Sequence, residues 1–509
     1  CGGGGEEAGV SVRKLLEKYC GPQEGVVAAS SPGVEWPDTT LEEKAGQEMP
    51  IEPVGGCGDV SLFLDSSVRV SFEGLPEIWE KRFCDAFTFI NPAWRRRRYN
   101  KTLEPPEKYL YAFFTDTQDR VCVPGGSIRW VVDFFHARKT PVHITDQTHS
   151  ILLDAPVSFS PGFESALQGE GYRRIIEKRY GILQGPEGAC FVVAAALLAG
   201  RGSRTLIVVK RKKQLYRWRE ELLRHTSLSA GDIGLVGDRN AEWDRPVVIG
   251  IDRSLYRYMD DINASHLVID RCDLVNIKIF YHIANAKPWR HILGVCRSAK
   301  RDDGLTHMMT AFCGPVRYAI EDPSLHREPV ILEVGKPGTV YDPQVEVYGV
   351  ALNEMIESEP RNRHIATDLL ADAAAGQKVI VVSARTRQIE AIGALLADQG
   401  RSFDVVTSRT TDTAKQDAIQ RISGSGGSVI FTTNKSIGDI EIGDMDAAYI
   451  ICPYRYRDTA SEVIARVRPG GVIREYIDNH PFFIASFKKR VEIYKDLGVD
   501  CSGAYLPGE

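Results

Sequence analysis

Eight residues, 185–192, have the length and position of a phosphate-binding loop but not its chemistry. They follow the apolar run 180–183 and precede an alanine-rich stretch that predicts a helix. A loop of the G-x-x-x-x-G-K-[ST] type uses a lysine ammonium to reach the phosphates and a hydroxyl to hold Mg²⁺. Phe191 and Val192 stand at these two positions. The pattern therefore predicts a relic of a nucleotide loop, whose other members are Gly185, Pro186, Glu187, Gly188, Ala189 and Cys190.

The same eight residues have a simpler interpretation. Taken alone, they favour an ordinary Gly-Pro turn before a buried helix. The relic is favoured only when the landmarks described below are considered with it. In that case Cys190, Phe191 and Val192 are expected to fill the space that a nucleotide would need.

Two clusters of basic residues are candidates for contact with nucleic-acid phosphates. One is Arg95, Arg96, Arg97 and Arg98, flanked by Trp94 and Tyr99, which combines charge with stacking aromatics. The other follows a predicted strand and comprises Lys210, Arg211, Lys212, Lys213 and Arg217. A solvated charged loop explains the first cluster equally well, whereas loops at strand ends often carry function, which favours binding for the second.

Composition limits the classes of protein to consider. The 509 residues are 43% hydrophobic and 26% charged, typical of a water-soluble chain, and no apolar stretch is long enough to span a membrane. The net charge of −5 means that nucleic-acid affinity must come from local basic clusters. The eleven cysteines include no pair or Cys/His cluster at zinc spacing, which predicts a reducing cytoplasm and no metal site.

The strands and helices around these residues are predicted from apolar runs that alternate with helical stretches. Apolar runs at 205–209, 247–251 and 266–270, and again at 378–382, 403–406, 429–433 and 448–452, indicate two parallel-sheet α/β domains in tandem. The expected organisation is a mostly disordered lead at 1–60, an α+β accessory domain at 61–150, a first parallel-sheet domain at 151–325, a linker at 326–362, and a second parallel-sheet domain with a C-terminal helix at 363–509.

Several segments resemble superfamily-two DNA helicases of the XPB-like, DEAD/DEAH-box branch, in the order and spacing of that family. Residues 206–218 resemble a strand followed by a helix that ends in Arg-Trp, and 233–238 and 248–255 resemble the next two landmarks. Residues 476–494 are similar to the closing helix of phage and bacterial members, and 88–92 and 123–125 to an accessory domain found in some of them. The resemblance implies two RecA-like domains.

The resemblance also assigns catalytic positions, and most are altered. In the family's Asp-Glu-x-His motif the Asp holds Mg²⁺ and the Glu activates water. Here Asp270 is retained, but Arg271 stands in place of the Glu. The arginine-finger motif keeps Arg466, while Arg468 follows one residue too early. Three roles are open for these two arginines: relic fingers, contacts to a partner, or residues that close the space between the domains through acids such as Asp270. A structural role is favoured.

The resulting prediction is a catalytically degenerate helicase-like protein that binds DNA or other protein subunits without hydrolysing ATP. It has no catalytic residues, cofactor or membrane contact, and its setting is the cytoplasm of a bacterial or phage-infected cell. One alternative is an active ATP-dependent helicase or translocase that binds Mg-ATP through unusual residues. Another is a purely protein–protein scaffold.

Overall fold

The computed structural model describes most of the chain, in eight stretches: residues 59–96, 107–160, 162–321, 328–337, 347–424, 426–440, 442–454 and 456–504. The expected disordered lead lies almost entirely outside these ranges, as do Arg97 and Arg98. The chain divides into two compact units, residues 1–322 and 323–509.

The first unit begins with a small α+β module. Its strands are β1 (Val60–Leu64), β2 (Ser67–Val70), β3 (Thr88–Ile90), β4 (Tyr109–Tyr111), β5 (Phe114–Thr115), β6 (Val121–Pro124) and β7 (Val142–Asp146), and its helices are α1 (Glu77–Ala86), α2 (Pro92–Arg96) and α3 (Ile128–His136). Five strands form one sheet in the order β5-β6-β2-β1-β7, and β3 pairs with β4 in a separate antiparallel ribbon. Helix α3 buries Val131, Val132 and Phe135, which form one apolar face.

An eight-stranded sheet follows in the same unit. Its strands are β8 (Tyr180–Gln184), β9 (Thr205–Val209), β10 (Ile233–Gly237), β11 (Asn240–Ala241), β12 (Val247–Ile251), β13 (His266–Asp270), β14 (His291–Cys296) and β15 (Val316–Ala319), and its helices are α4 (Ala166–Ile175), α5 (Glu187–Arg201), α6 (Lys212–His225), α7 (Asp252–Leu255), α8 (Ile277–Asn285) and α9 (Thr306–Cys313). The strand order is β11-β10-β12-β9-β13-β14-β8-β15, and every pairing is parallel except that of β11 with β10.

The α+β module packs directly against this sheet. Asp146, at the end of β7, accepts from Arg179 at 2.9 Å and from Arg290 at 2.6 Å. A side chain at Gly126 would place its Cβ 2.4 Å from the carbonyl oxygen of Phe312, so the backbones approach too closely for any other residue. The buried apolar residues of the two parts form one continuous cluster, which makes them a single unit.

The second unit is built around six parallel strands. They are β16 (Ile331–Gly335), β17 (Val379–Ser383), β18 (Asp404–Val406), β19 (Val429–Thr433), β20 (Met445–Ile450) and β21 (Val467–Tyr476), and the helices are α10 (Tyr348–Glu357), α11 (Glu359–Ala374), α12 (Thr386–Asp398), α13 (Asp412–Gly424), α14 (Arg457–Ile464) and α15 (Pro481–Asp496). The strand order is β16-β21-β20-β17-β19-β18. The segment expected as a linker, 326–362, supplies β16 to this sheet because β16 pairs with β21, and it also contains α10.

These elements confirm the predicted α/β class, with two tandem parallel-sheet domains after a small α+β part. The fully buried strands β9 and β13 are apolar at 206–209 and 267–269, without polar residues alternating between them, as is typical of parallel strands buried on both faces. Within the described residues, no helix combines the length and the apolar character that a membrane crossing requires.

Candidate functional site

The relic loop connects β8 to α5 at the carboxyl edge of the eight-stranded sheet, where ligands bind in folds of this kind. Gly185 is required there, because a Cβ would lie 2.8 Å from the Cβ of Ile320. Pro186 is the N-cap of α5 and supplies no side-chain hydrogen bond. Gly188 faces open space, whereas Ala189 is only partly buried and the side chain of Cys190 is buried. The side chains that decide the chemistry at the start of α5 are therefore Glu187 and Phe191.

Phe191, at the position of the missing lysine, is fully buried between two helices. Its ring meets Trp218 of α6 edge-to-face, with ring centroids 4.5 Å apart. Val192, at the position of the missing hydroxyl, is also buried in the core. Both residues thus fasten α5 to the domain, and neither presents a polar group to a ligand.

Glu187 and Arg217 form an ion pair above this ring. Glu187 Oε2 lies 3.1 Å from Arg217 Nη1, and the guanidinium of Arg217 lies 5.0 Å from the centre of the Phe191 ring. Glu187 stands in the first turn of α5, where the partial positive charge of a helix N-terminus favours an anion. A carboxylate of the chain itself therefore lies at the end of the helix where a phosphate loop holds phosphate.

Asp270 ends β13 and is completely buried. Its Oδ2 accepts a hydrogen bond from Gln214 Nε2 at 2.9 Å, and Gln214 is oriented in turn by the Arg211 N–H, which donates to Gln214 Oε1 at 3.1 Å. Burial, with the negative charge of Glu187 adding to it, raises the pKa of Asp270 to about 7. The nearby indole N–H of Trp218 lowers the pKa of Asp270 and so opposes this shift. Among the described residues, however, Trp218 Nε1 makes no hydrogen bond of acceptable geometry.

Arg271, at the position where the resemblance expects the water-activating Glu, pairs with Asp273. Its Nη2 lies 3.1 Å from Asp273 Oδ2, and its Nε donates to Asp273 Oδ1 at 3.2 Å. The backbone of Arg271 has a φ of +50°, an uncommon conformation for a residue other than glycine. The turn after β13 is thus closed by a charge pair between neighbouring residues, and Arg271 presents no proton acceptor.

The buried Asp270 makes the stability of the first unit depend on pH. A folded-state pKa of about 7 exceeds the unfolded value of about 3.9, so the contribution of Asp270 to stability is fully present below about pH 4 and is lost as pH rises through 7. Asp270→Asn removes this titration. We expect the free energy of unfolding of the variant, relative to the wild type, to rise between pH 4 and pH 8 by on the order of 2–4 kcal/mol.

Urea unfolding followed by tryptophan fluorescence measures this difference, because all seven tryptophans precede residue 323 and report only on the first unit. Asp273→Asn is the matched control, since Asp273 is a neighbouring acid paired with Arg271. A difference between Asp270→Asn and wild type that stays constant from pH 4 to pH 8 would show that Asp270 does not titrate in this range.

The basic cluster after β9 lies at the same edge of the sheet and is partly engaged within the domain. Lys210 Nζ donates to the carbonyl oxygen of Leu274 at 3.0 Å, and Lys212 Nζ lies 2.9 Å from Asp238 Oδ2. Lys210 and Lys212 are exposed, while Arg211 and Lys213 are half-buried. Arg217, predicted with this cluster, is instead directed to Glu187.

The other predicted residues lie elsewhere. Arg95 and Arg96 end helix α2 of the α+β module. Arg466 is buried in the second unit, where its Nε donates to the carbonyl oxygen of Ile440 at 3.0 Å and its Nη1 pairs with Glu462 at 2.6 Å. Arg468 is half-exposed and its Nε lies 2.7 Å from Asp446 Oδ1. Both finger-position arginines therefore hold parts of their own domain together.

Gln214 and Trp218 lie in the segment 206–218 but were not predicted as residues of the site. They are one turn apart on α6 and face Asp270 and Phe191. Their i, i+4 spacing was a usable signal, because residues four apart share a helix face. In the described ranges, no group of three or more His, Cys, Asp or Glu side chains is suited to a metal ion.

Comparison with known proteins gives partial matches. No protein-family model matches the chain. A candidate DNA 3'-5' helicase, Rad25, from Haloarcula marismortui is 29% identical over 190 residues, which are 35% of this chain and 28% of that protein. The DNA 3'-5' helicase XPB of Kineococcus radiotolerans is 29% identical over 137 residues, 25% of this chain and 24% of that protein. The matches thus span about a quarter of the length of these relatives.

The chain resembles the XPB-like superfamily-two helicases. Among solved structures, UvsW of phage T4 is similar at 15% identity, with a TM-score of 0.40, over 86% of this chain and 97% of that protein. At this level of similarity, the roles of individual residues in this helicase-like chain must follow from its own contacts.

Proposed function

We propose that this chain is a catalytically degenerate helicase-like protein that binds nucleic acid, as a platform or subunit of a larger complex, without hydrolysing ATP. The observation that carries the proposal is the Glu187–Arg217 ion pair at the start of α5, over the buried ring of Phe191. This ion pair lies at the N-terminus of α5, the end of the helix at which a phosphate loop would hold the phosphate of a nucleotide.

The charges at this position oppose a triphosphate. A phosphate at the N-terminus of α5 would have to compete with the Glu187 carboxylate for Arg217 and would be repelled by that carboxylate. No lysine ammonium offsets that repulsion, because Phe191 stands at its position and is buried against Trp218. The residues present therefore do not fit a magnesium nucleotide, although the helix-terminal N–H groups can still attract an anion weakly.

The groups that would carry out hydrolysis are also unsuited to it. Asp270, which would hold Mg²⁺, is buried, hydrogen-bonded to Gln214, and has a pKa raised to about 7 by burial. Arg271 cannot accept a proton from water and is paired with Asp273. Arg466 is buried in contacts within the second unit. Because one arginine finger is worth roughly 10³–10⁵ in rate, the combined losses leave no useful turnover.

Nucleic-acid binding is the function that remains for the exposed basic residues. Lys210 and Lys212 lie at the carboxyl edge of the first parallel sheet, and Arg95–Arg98 form the second basic cluster of the sequence. We leave Arg217 out of this surface, since it pairs with Glu187. Binding through phosphate contacts, without a nucleotide cycle, would be static and would weaken steeply with salt.

The test is fluorescence anisotropy with labelled DNA, single-stranded and duplex, between about 50 and 200 mM salt. We expect binding that weakens with salt and is unchanged by Mg-ATP. Lys210→Ala/Lys212→Ala should flatten the plot of log affinity against log salt by about one to two units. Lys488→Ala/Lys489→Ala removes the same charge from the exposed face of α15 and should leave the slope unchanged.

Two results would contradict the proposal. Binding that changes with Mg-ATP would favour an active motor, the activity given in the names of the matched relatives. The absence of any binding at low salt would favour a protein–protein scaffold.

A further inference from the structure

Two aromatic rings from different helical segments stack on the surface of the first parallel-sheet domain. The ring of Tyr256, the residue after α7, lies nearly parallel to the ring of His282 of α8, with centroids 4.2 Å apart and planes inclined by 27°. Tyr256 is 61% exposed although His282 covers one face of its ring, so the other face is open to solvent. We call Tyr256 and His282 the aromatic stack.

The stack lies at the same edge of the sheet as Lys210. Helix α7 follows β12 and α8 follows β13, and β9, which ends one residue before Lys210, lies between these two strands in the sheet. The carboxyl ends of parallel strands meet at one edge, where ligands bind in folds of this kind. Lys210 Nζ donates to the carbonyl oxygen of Leu274, three residues before α8, at 3.0 Å. The stack therefore adjoins the basic surface that the proposed function uses.

Buried neighbours fix both rings in place. Leu255, the residue before Tyr256, is fully buried, and so are Phe280 and Ile283 of α8, which lie on either side of His282 in the sequence. These apolar side chains anchor the two segments to the core of the domain. The exposed ring of Tyr256 adds little to that core, which leaves its open face available to a ligand.

Basic side chains accompany the stack. Arg253 and Arg257 flank Tyr256 in the sequence, and Lys278 lies one helical turn before His282 on the same face of α8. All three cations are exposed. Within the described ranges, neither Arg257 nor Lys278 forms an ion pair, so their charges are not neutralised by the domain itself.

The acids near Tyr256 in the sequence do not cancel this charge. Asp252 is buried. Asp260 and Asp261 act on another cation, Lys287, whose Nζ donates to the carbonyl oxygen of Asp260 at 3.3 Å. The exposed charge beside the stack is therefore mainly positive. A ligand that suits an open ring beside cations has flat apolar groups and a negatively charged backbone.

We propose that the aromatic stack binds single-stranded nucleic acid, with a base stacked on the open face of Tyr256 and with Lys278 and the flanking arginines contacting phosphates. Aromatic rings beside cations bind single strands without reading their sequence. The bases of a duplex stack on one another, so their faces cannot reach the ring. The inference rests on the proposed nucleic-acid binding and specifies the kind of strand and the place where a base is held.

The test compares variants of the full chain by fluorescence anisotropy, with a labelled thymidine oligonucleotide of about 20 residues and a duplex of equal length. Tyr256→Ala should weaken single-strand binding about tenfold, the order of magnitude expected for loss of one base–aromatic stack. Duplex binding should change less than about twofold, and the salt dependence should stay the same because no charge is removed. Tyr256→Phe keeps the ring and should bind like the wild type.

Lys278→Ala tests the phosphate contacts separately. It removes a charge and leaves the ring, so it should flatten the plot of log single-strand affinity against log salt by about 0.7 units. An unchanged slope would overturn the part of the inference that assigns Lys278 to phosphate.

Tyr456→Ala is the matched control for Tyr256→Ala, because Tyr456 is also 61% exposed but belongs to the second unit. Both variants should unfold in urea at the wild-type midpoint, since both residues are exposed, and Tyr456→Ala should bind both DNAs normally. Unchanged single-strand binding by Tyr256→Ala, or an equal loss for single strand and duplex, would overturn the inference and leave the proposed function standing. A wild-type chain that binds neither DNA at low salt would overturn both.

Discussion

Arg490→Ala should destabilise the second unit by about 3–5 kcal/mol, because it leaves the Glu475 carboxylate buried without its charge partner. Arg490 and Glu475 are both buried, with Nη2 2.6 Å from Oε2 and Nε 2.8 Å from Oε1. Although burial alone would lower the pKa of Arg490, the Glu475 carboxylate raises it above its ordinary value. Both members of the pair are therefore charged, and removal of Arg490 leaves the buried Glu475 carboxylate without a charge partner.

Two tyrosines extend this buried pair into a network. Tyr494 donates to Glu475 Oε1 at 2.7 Å, Tyr454 and Tyr494 share a hydrogen bond of 2.6 Å, and Arg490 Nη1 donates to the carbonyl oxygen of Tyr454 at 3.0 Å. The network ties α15 to β21 and to the loop after β20. Loss of Arg490 should therefore loosen the C-terminal helix before the rest of the sheet.

Hydrogen exchange measured by mass spectrometry on peptides from α15 and β21 follows this change, because the second unit has no tryptophan. Arg468→Ala is the matched control: it also removes an arginine from an ion pair, but one that is half-exposed, and such pairs contribute about 0–1 kcal/mol. Equal protection of α15 in Arg490→Ala and Arg468→Ala would contradict the assignment of a stabilising role to the buried network.

Phe191→Ala should destabilise the first unit by about 3–5 kcal/mol, as expected for removal of a fully buried aromatic ring. The ring packs edge-to-face on Trp218 and lies beneath Arg217, so the fluorescence of the protein should report its loss. The variant opens space beside α5 but restores no lysine. We therefore expect no gain in affinity for Mg-ATP, although the obstructing ring is gone.

Phe163→Ala is the control for this variant. Phe163 is 37% exposed, and the centroid of its ring lies 5.0 Å from that of Phe159. Its free energy of unfolding, from urea titration with tryptophan fluorescence, should change by less than about 1 kcal/mol. A Phe191→Ala variant as stable as Phe163→Ala would show that the ring is not a structural part of the loop.

The backbone of the parallel sheets could be predicted well from the sequence. The spans predicted at 205–209, 247–251 and 266–270 coincide with β9, β12 and β13. Such strands are buried on both faces and read as unbroken apolar runs, a signal that is local in the chain. The exposed antiparallel ribbon gives a weaker signal, because the apolar run 109–114 divides between β4 and β5, which join different sheets.

Side-chain pairing at the site could not be predicted in the same way. The absence of the lysine and the hydroxyl was visible as Phe191 and Val192, because a motif assigns those positions. The pairing of Glu187 with Arg217, thirty positions apart, depends on how α5 and α6 pack side by side. The same holds for Glu475 and Arg490, since no local pattern shows which buried charges meet.

The absence of a working nucleotide site can be tested by titrating the full chain with Mg-ATP, by calorimetry and by thermal unfolding followed through tryptophan fluorescence. A ligand that binds only the folded state stabilises it in proportion to the logarithm of its concentration over Kd. With Glu187 and Arg217 paired at the start of α5, we predict no saturable heat and no shift of the first unit's transition up to about 1 mM Mg-ATP, a concentration that would reveal even weak binding. A saturable heat with a matching upward shift would show instead that this chain holds a working nucleotide site.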